Sequence, residues 1–209
     1  MPKIVDHAQR RTEIVHALWQ VIYLKGIDGV SFRSVAEAAG ISIGRVQHYF
    51  PSRSELILEG CRQIVDSVEA AGPEGADAPS DPGSAKAVSA LREFCFAFIP
   101  TGETMRIGAS VWYTYVARAV MDEQIADIIR ASDRATLELG IRLYRAVGEG
   151  DGAAHADDAG GTDGEVATTW AMRMIALGKG LAQEVMLDER SAASAKAILE
   201  AELAPLVAN

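Results

Sequence analysis

An all-α fold is predicted by two features of this 209-residue sequence and made feasible by a third. Apolar residues recur at three- and four-residue spacings along nearly its whole length, and no segment shows the strict alternation of a half-buried strand. About half of the residues are apolar, enough to build a substantial core in one or two compact domains.

The first helix is expected from about Asp6 to Lys25, where Ile14, Val15, Leu18, Val21, Ile22 and Leu24 share helical spacing and Gly26 with Gly29 supplies the stop and turn. Ser31 caps a second helix that reaches only Ala39, because Gly40 suits the left-handed residue that closes a helix. Ser42 caps a third short helix carrying Ile43, Val46, Tyr49 and Phe50, which must stop at Pro51. Ser52 and Glu55 have the spacing of a capping box, opening a fourth helix through Leu56, Leu58, Ile64 and Val68 that ends before Gly72. The stretch AGPEGADAPSDPG, Ala71 to Gly83, neither propagates a helix nor offers apolar surface, and reads as a linker. A second irregular stretch, GEGDGAAHADDAGGTDG from Gly148 to Gly164, reads as a mobile or disordered loop. The remaining helices are expected at Ser84–Ile99, Thr104–Met121, Asp122–Val147, Glu165–Leu187 and Ser191–Val207.

Charge is distributed unevenly. Residues 1–63 hold 8 Lys/Arg and 6 Asp/Glu, a net of +2, against −9 for the whole chain. A near-neutral to basic head on an acidic body can still approach a phosphate backbone if its basic side chains share one face. The two cysteines, Cys61 and Cys95, lie in apolar helical patterns with no metal-like spacing, so buried free thiols are expected. With no long apolar run, and no apolar core or cleavage site in MPKIVDHAQRR, the chain reads as soluble and cytoplasmic, with no membrane partner.

Two short helices joined by a Gly-containing turn have the layout of a helix-turn-helix, whose second helix enters the major groove of DNA. Phe32, Val35, Ala36, Ala39, Ile41, Val46 and Phe50 would hold the pair together, leaving Arg33, Ser42, Arg45, Gln47 and His48 for solvent or DNA. Arginine can pair with guanine O6 and N7, and glutamine with adenine N6 and N7, so Arg45 and Gln47 are the base-reading candidates.

The segment from Arg11 to Ile64 resembles the TetR family of bacterial transcriptional regulators. It contains RTEIVHALWQVIYLKGIDGVSFRSVAEAAGISIGRVQHYFPSRSELI, similar to the family pattern of an amphipathic first helix, a G-x-x-G-x-[ST] turn, VAEAAGIS, an aromatic-ended recognition helix and S-[KR]-x-x-L. The resemblance implies a helix-turn-helix DNA-binding domain over residues 1–52. A larger helical effector-binding and dimerisation domain would occupy 53–209, with 53–70 as the connecting helix. It further implies that Arg33 and Ser42 contact phosphate or flanking bases, that Tyr49 bonds a phosphate, and that Arg53 anchors the start of the fourth helix. Ile43, Gly44 and His48 complete the expected DNA-facing set. Gln47 stands where many members carry tyrosine and Arg45 where threonine is common, so no relative's operator sequence can be borrowed.

MIALGKGLAQEVMLDERSAASAKAILEAEL, near the C-terminus, is similar to the last two helices of the BetI-like subgroup, which pair across a two-fold axis as a four-helix bundle. The implied interface set is Met174, Leu177, Gly178, Leu181, Val185 and Ile198; the competing reading buries the same residues in their own domain. Phe96, Met105, Trp112, Tyr115 and Trp170 lie on helices that line the effector pocket in the family, with ordinary core packing as the alternative for each. Trp112, Tyr115 and Trp170 join an apolar face to a polar handle, which suits an apolar or cationic ligand.

The expected function is a homodimeric, ligand-responsive transcriptional regulator, most simply a repressor, that binds a pseudo-palindromic DNA operator and is released by a small-molecule effector. Its localisation is then cytoplasmic and nucleoid-associated. The alternative is a helical small-molecule-binding or protein-interaction module without DNA binding, motivated by the acidic body. His155 among Asp157, Asp158 and Asp163 matches neither a calcium loop nor a zinc box, and no P-loop, GxSxG or dinucleotide fingerprint occurs. Neither a metal, a cofactor nor catalysis is expected.

Overall fold

The computed structural model describes residues 7–70, 83–148 and 163–207. Among these residues it contains nine α-helices, one 3-10 turn and no strand, so the fold is all-α. The helices are α1 (His7–Lys25), α2 (Phe32–Ala39), α3 (Ile43–Tyr49), α4 (Arg53–Ala70), α5 (Ala85–Phe96), α6 (Gly102–Ala119), α7 (Glu123–Gly148), α8 (Asp163–Met186) and α9 (Ala192–Val207), with the 3-10 turn at Ile27–Gly29. The linker expected at Ala71–Gly83 and the irregular stretch at Gly148–Gly164 fall almost wholly outside the described residues. No helix among the described residues is long and apolar enough to cross a membrane.

Two compact units divide the chain. The first comprises residues 7–70 with 107–131, and the second holds the described parts of 71–106 and 132–209. In the first unit, Ile14, Leu18 and Ile22 of α1 pack in one core with Val35 of α2, Val46 and Phe50 at α3, Leu56 and Ile64 of α4, Tyr115 of α6 and Ile125 of α7. Cys61 belongs to this core. The Trp19 indole donates to the Gly60 carbonyl at 3.1 Å, and the Tyr115 hydroxyl donates to the Ile57 carbonyl at 3.2 Å. These bonds fix α4 from two sides. Gly60 makes the approach possible, since a Cβ there would lie 2.4 Å from Tyr115 Oη and 2.5 Å from Leu18 Cδ2.

The second unit's core joins Leu91, Phe94, Cys95 and Ile99 to Leu143 of α7, Met174, Leu181 and Val185 of α8, and Ala195, Leu199 and Leu203 of α9. Gly178 lets Phe98 press against α8, where a Cβ would stand 2.9 Å from the Phe98 ring. Asp188 ends α8 in the left-handed region at φ 58°. Arg106 closes that helix end, donating to the Val185 carbonyl at 2.8 Å, the Met186 carbonyl at 3.3 Å and Asp188 Oδ1 at 3.0 Å. The last carbonyls of α8 are thereby satisfied, and a cation sits at the negative end of the helix.

Both cysteines are free and buried, as the sequence pattern predicted. Burial pushes the Cys61 thiol up to about 11 and the Cys95 thiol to about 12. They are inert core residues rather than nucleophiles.

Candidate nucleic-acid interface

Local sequence sets the geometry of α2 and α3. Ser31 Oγ accepts from the Ser34 amide at 3.0 Å while Ser34 Oγ accepts from the Ser31 amide at 2.9 Å, a capping box in which serine replaces the usual glutamate. Gly40 closes α2 at φ 64°, a conformation glycine adopts without steric cost. Two residues later Ser42 Oγ accepts from the Arg45 amide at 3.3 Å and starts α3. With caps at both ends of so short a connection, the direction of α3 follows from that of α2.

Val46 and Phe50, both fully buried, hold α3 onto the core from one side. Its other side presents Ile43, Gly44, Arg45, Gln47 and His48 to solvent, with Ser42 exposed before them and Tyr49 half-buried after them. Nothing approaches within 4 Å of where a Gly44 Cβ would stand. Arg33 is exposed on α2. The expected DNA-facing side chains on α2 and α3 are thus accessible, and no ion pair among the described residues engages Arg33 or Arg45.

Arg53 behaves differently from the other members of that set. Its Nε donates to the Val30 carbonyl and its Nη2 to the Ile27 carbonyl, each at 2.7 Å. It ties the start of α4 to the turn before α2, which makes it a positioning residue. Arg11 was not among the sequence candidates. It donates to the Tyr49 carbonyl at 2.8 Å, pairs with Glu59 at 3.3 Å and stacks over Phe50 at 4.4 Å. One arginine therefore joins α1, α3 and α4, and no local motif announces a contact 38 residues away in sequence.

The expected effector residues are not brought into one cluster within either unit. Tyr115 is fully buried in the first core with its hydroxyl donating to the Ile57 carbonyl, and burial raises its pKa; this is the core packing that was the alternative for it. Trp112 packs half-buried against the same core. In the second unit, Trp170 leans on Tyr144 at 4.8 Å, Phe96 lies 5.3 Å from the Lys196 ammonium, and the exposed Met105 accepts from Thr101 Oγ1 at 3.2 Å.

The expected interface set packs largely within the chain itself, the competing reading given for it. Met174, Leu181 and Val185 are buried in the chain's own core, and Gly178 packs on Phe98. Leu177 and Ile198 lean on that core half-buried. Helical spacing identified them as apolar but could not say which apolar stripe faces inward. The outer stripe carries Met172, 58 % exposed, with Ala176 and Gly180 on α8, and Ala193, Ala197, Ala201 and Ala204 on α9. Among the described residues no group of three His, Cys, Asp or Glu side chains is placed to hold a metal, and His155, Asp157 and Asp158 lie outside them.

Comparison with known proteins bears on this geometry. The profile of the family "Bacterial regulatory proteins, tetR family" matches residues 14–59, the stretch from mid-α1 into α4. Residues 14–59 thus form a segment of the TetR type. The chain's curated relatives include the HTH-type transcriptional regulator PksA of Bacillus subtilis, 33% identical over 119 residues, which are 57% of this chain and 56% of that one. The HTH-type transcriptional regulator BetI of Stenotrophomonas maltophilia is 31% identical over 135 residues, 64% of this chain and 66% of the relative. The match thus spans between half and two thirds of these relatives' own length. The TetR-type fold extends over nearly the whole chain: a protein of Saccharomonospora viridis, described as a transcriptional regulator in complex with choline, superposes with a TM-score of 0.77, 20% identity and coverage of 94% and 96%.

Proposed function

We propose that this protein is a homodimeric repressor of the TetR family that binds a pseudo-palindromic operator and is released by a small-molecule effector. The observation that carries the reading is the exposed edge of α3. Arg45 and Gln47 are both exposed on a helix fixed by two caps and by the buried Val46 and Phe50. A rigid, short helix with polar side chains on its free face is suited to reading base edges in a major groove. Arg33, Ser42, Ile43, Gly44, His48 and Tyr49 would border those two on the phosphates and flanking bases. Arg53 supports the reading indirectly, by holding the turn on which α2 starts.

Dimerisation follows from the demand of the readout, because one short helix makes too few base contacts for genomic specificity. The support for it lies in α9, whose inner residues Ala195, Leu199 and Leu203 are buried while its outer residues Ala193, Ala197, Ala201 and Ala204 are apolar and exposed. An exposed run of small apolar residues beside Glu200 and Lys196 is a surface suited to covering by another helix. A second copy meeting this face and the Met172, Ala176 and Gly180 stripe would set two recognition helices about one DNA turn apart, roughly 34–36 Å. An effector acts by favouring a different separation, and each ~1.4 kcal/mol of that preference weakens operator binding about tenfold.

In vitro selection of duplexes with the full chain tests the DNA reading. An inverted repeat should emerge, with Arg45→Ala relaxing preference at one position of each half-site and Arg53→Ala weakening all sequences alike. A pool without enrichment and with a flat salt response would return the protein to the class of helical modules without DNA binding. Choline, the molecule bound in the Saccharomonospora viridis neighbour, is the first effector probe, and by reciprocity operator DNA should weaken its binding.

A further inference from the structure

The first turn of α1 brings a residue to the α3 edge that neither the sequence motif nor the family match covers. The His7 ring lies 4.6 Å from Tyr49 and 6.4 Å from His48, and His48 in turn meets Tyr49 edge-on at 5.3 Å. His7 and His48 are both exposed. We propose that His7 and His48, seated around Tyr49, form a phosphate-gripping cluster that makes DNA affinity depend on proton concentration.

This inference rests on the DNA-binding reading above and extends its surface from α2 and α3 onto α1. Histidine is the side chain whose ordinary charge change falls between pH 5 and 8. The two rings stand 6.4 Å apart, close enough for one phosphate to meet both. A phosphate laid against them accepts a hydrogen bond from each and favours the charged form of the ring, so DNA binding and proton uptake favour one another. The affinity gain is therefore complete at low pH and lost as pH rises past the point where the bound imidazoles release their protons.

The other charged groups on the elements packed around the cluster leave this sign intact. Arg10, Arg11, Glu13 and Lys25 come from α1, Arg33 and Glu37 from α2, Arg45 from α3, and Arg53, Glu55, Glu59, Arg62 and Asp66 from α4. Glu13 is held by Arg10, and Glu59 by Arg11 and Arg62. Glu13 and Glu59 are thus already paired with arginine.

Phosphate contacts need no particular sequence, so the test uses the full chain and a fluorescent 30-base-pair duplex of arbitrary sequence, read by anisotropy at constant salt. Binding should be about fivefold tighter at pH 6 than at pH 8 for each histidine whose pKa the duplex raises by one unit. At pH 6 the salt slope should steepen by about 0.9 for each such contact. His7→Gln and His48→Gln should each remove part of the pH response and the pair nearly all of it, with circular dichroism unchanged. His7→Arg, permanently charged, should restore tight binding at pH 8. Equal wild-type affinity at pH 6 and 8, or a pH response that survives the double substitution, overturns the histidine cluster and leaves DNA binding standing. No binding at either pH overturns both.

Discussion

In the first unit, polar side chains reach across helices to backbone carbonyls: Arg11 to Tyr49, Trp19 to Gly60, Arg53 to Ile27 and Val30, Tyr115 to Ile57. In the second, Arg106 alone of the contacts described above reaches main-chain carbonyls, those of Val185 and Met186 at the end of α8, while Arg92 with Glu200 and Lys179 with Asp133 are ion pairs at the surface over an apolar core. The two kinds of contact have different consequences. A donor bound to a main-chain carbonyl fixes where a helix runs, whereas an exposed ion pair contributes only about 0–1 kcal/mol and fixes little. The unit proposed to read DNA is therefore built for fixed helix directions and leaves a polar edge free. The unit proposed to pair with a second copy is held mainly by apolar burial and leaves an apolar face free.

Substitutions can break this contrast, beginning with the largest effect. Ala197→Glu places a charge in the middle of the free apolar face of α9 and leaves the buried side of the helix untouched. If a second copy covers that face, the dimer should lose about 4 kcal/mol, the penalty for an uncompensated buried charge. Sedimentation velocity would record monomers, with helicity unchanged. Leu56→Ala, at a fully buried site in the first core, should cost about 3 kcal/mol in urea unfolding. Gly60→Ala should cost about 2 kcal/mol, because its methyl group meets Leu18 and the Tyr115 hydroxyl, and DNA affinity should fall with it as α4 shifts. An Ala variant as stable as wild type would show that α4 is not held as tightly as these bonds imply.

Tyr115→Phe is the gentler probe. It removes one hydroxyl bond from a carbonyl, Ile57, and should cost about 1 kcal/mol. It should also leave effector affinity unchanged, since the ring is sealed in the core. The smallest effect is alkaline. Burial raises the Cys61 and Cys95 thiols and the Tyr115 phenol in the folded chain. Above pH 9 the unfolded thiols lose protons that the folded ones keep, so stability falls with rising pH by up to about 1.4 kcal/mol per unit for each group. Cys95→Ala should flatten that decline, as measured by urea midpoints between pH 8 and 10.

Reading the sequence worked best where local chemistry decides. The caps at Ser31, Ser42 and Ser52 and the stop at Gly40 all stand where the residue pattern put them, because capping involves neighbours three residues apart. α6 runs from Gly102 to Ala119 rather than from Thr104 to Met121, since Gly102, at φ 77°, turns the chain into the helix two residues early. The candidate DNA edge was legible for the same reason: burying Val46 and Phe50 leaves the opposite side of a seven-residue helix exposed. The interface and effector residues were not legible in this way. On α8 and α9 apolar residues occur all round the helix, so spacing cannot choose the inner stripe, and Met174 was indistinguishable from Met172.

The order of helices, their caps and the polar edge of α3 were determined by the sequence alone, since each depends on side chains within one or two turns of one another. Only the tertiary structure decided that Arg11 joins three helices, that Tyr115 is sealed, that Gly60 and Gly178 admit a neighbouring ring, and that His7 meets Tyr49. Those contacts link residues that helix packing brings together across tens of positions, and close packing, unlike capping, is a property of shapes that no local pattern encodes.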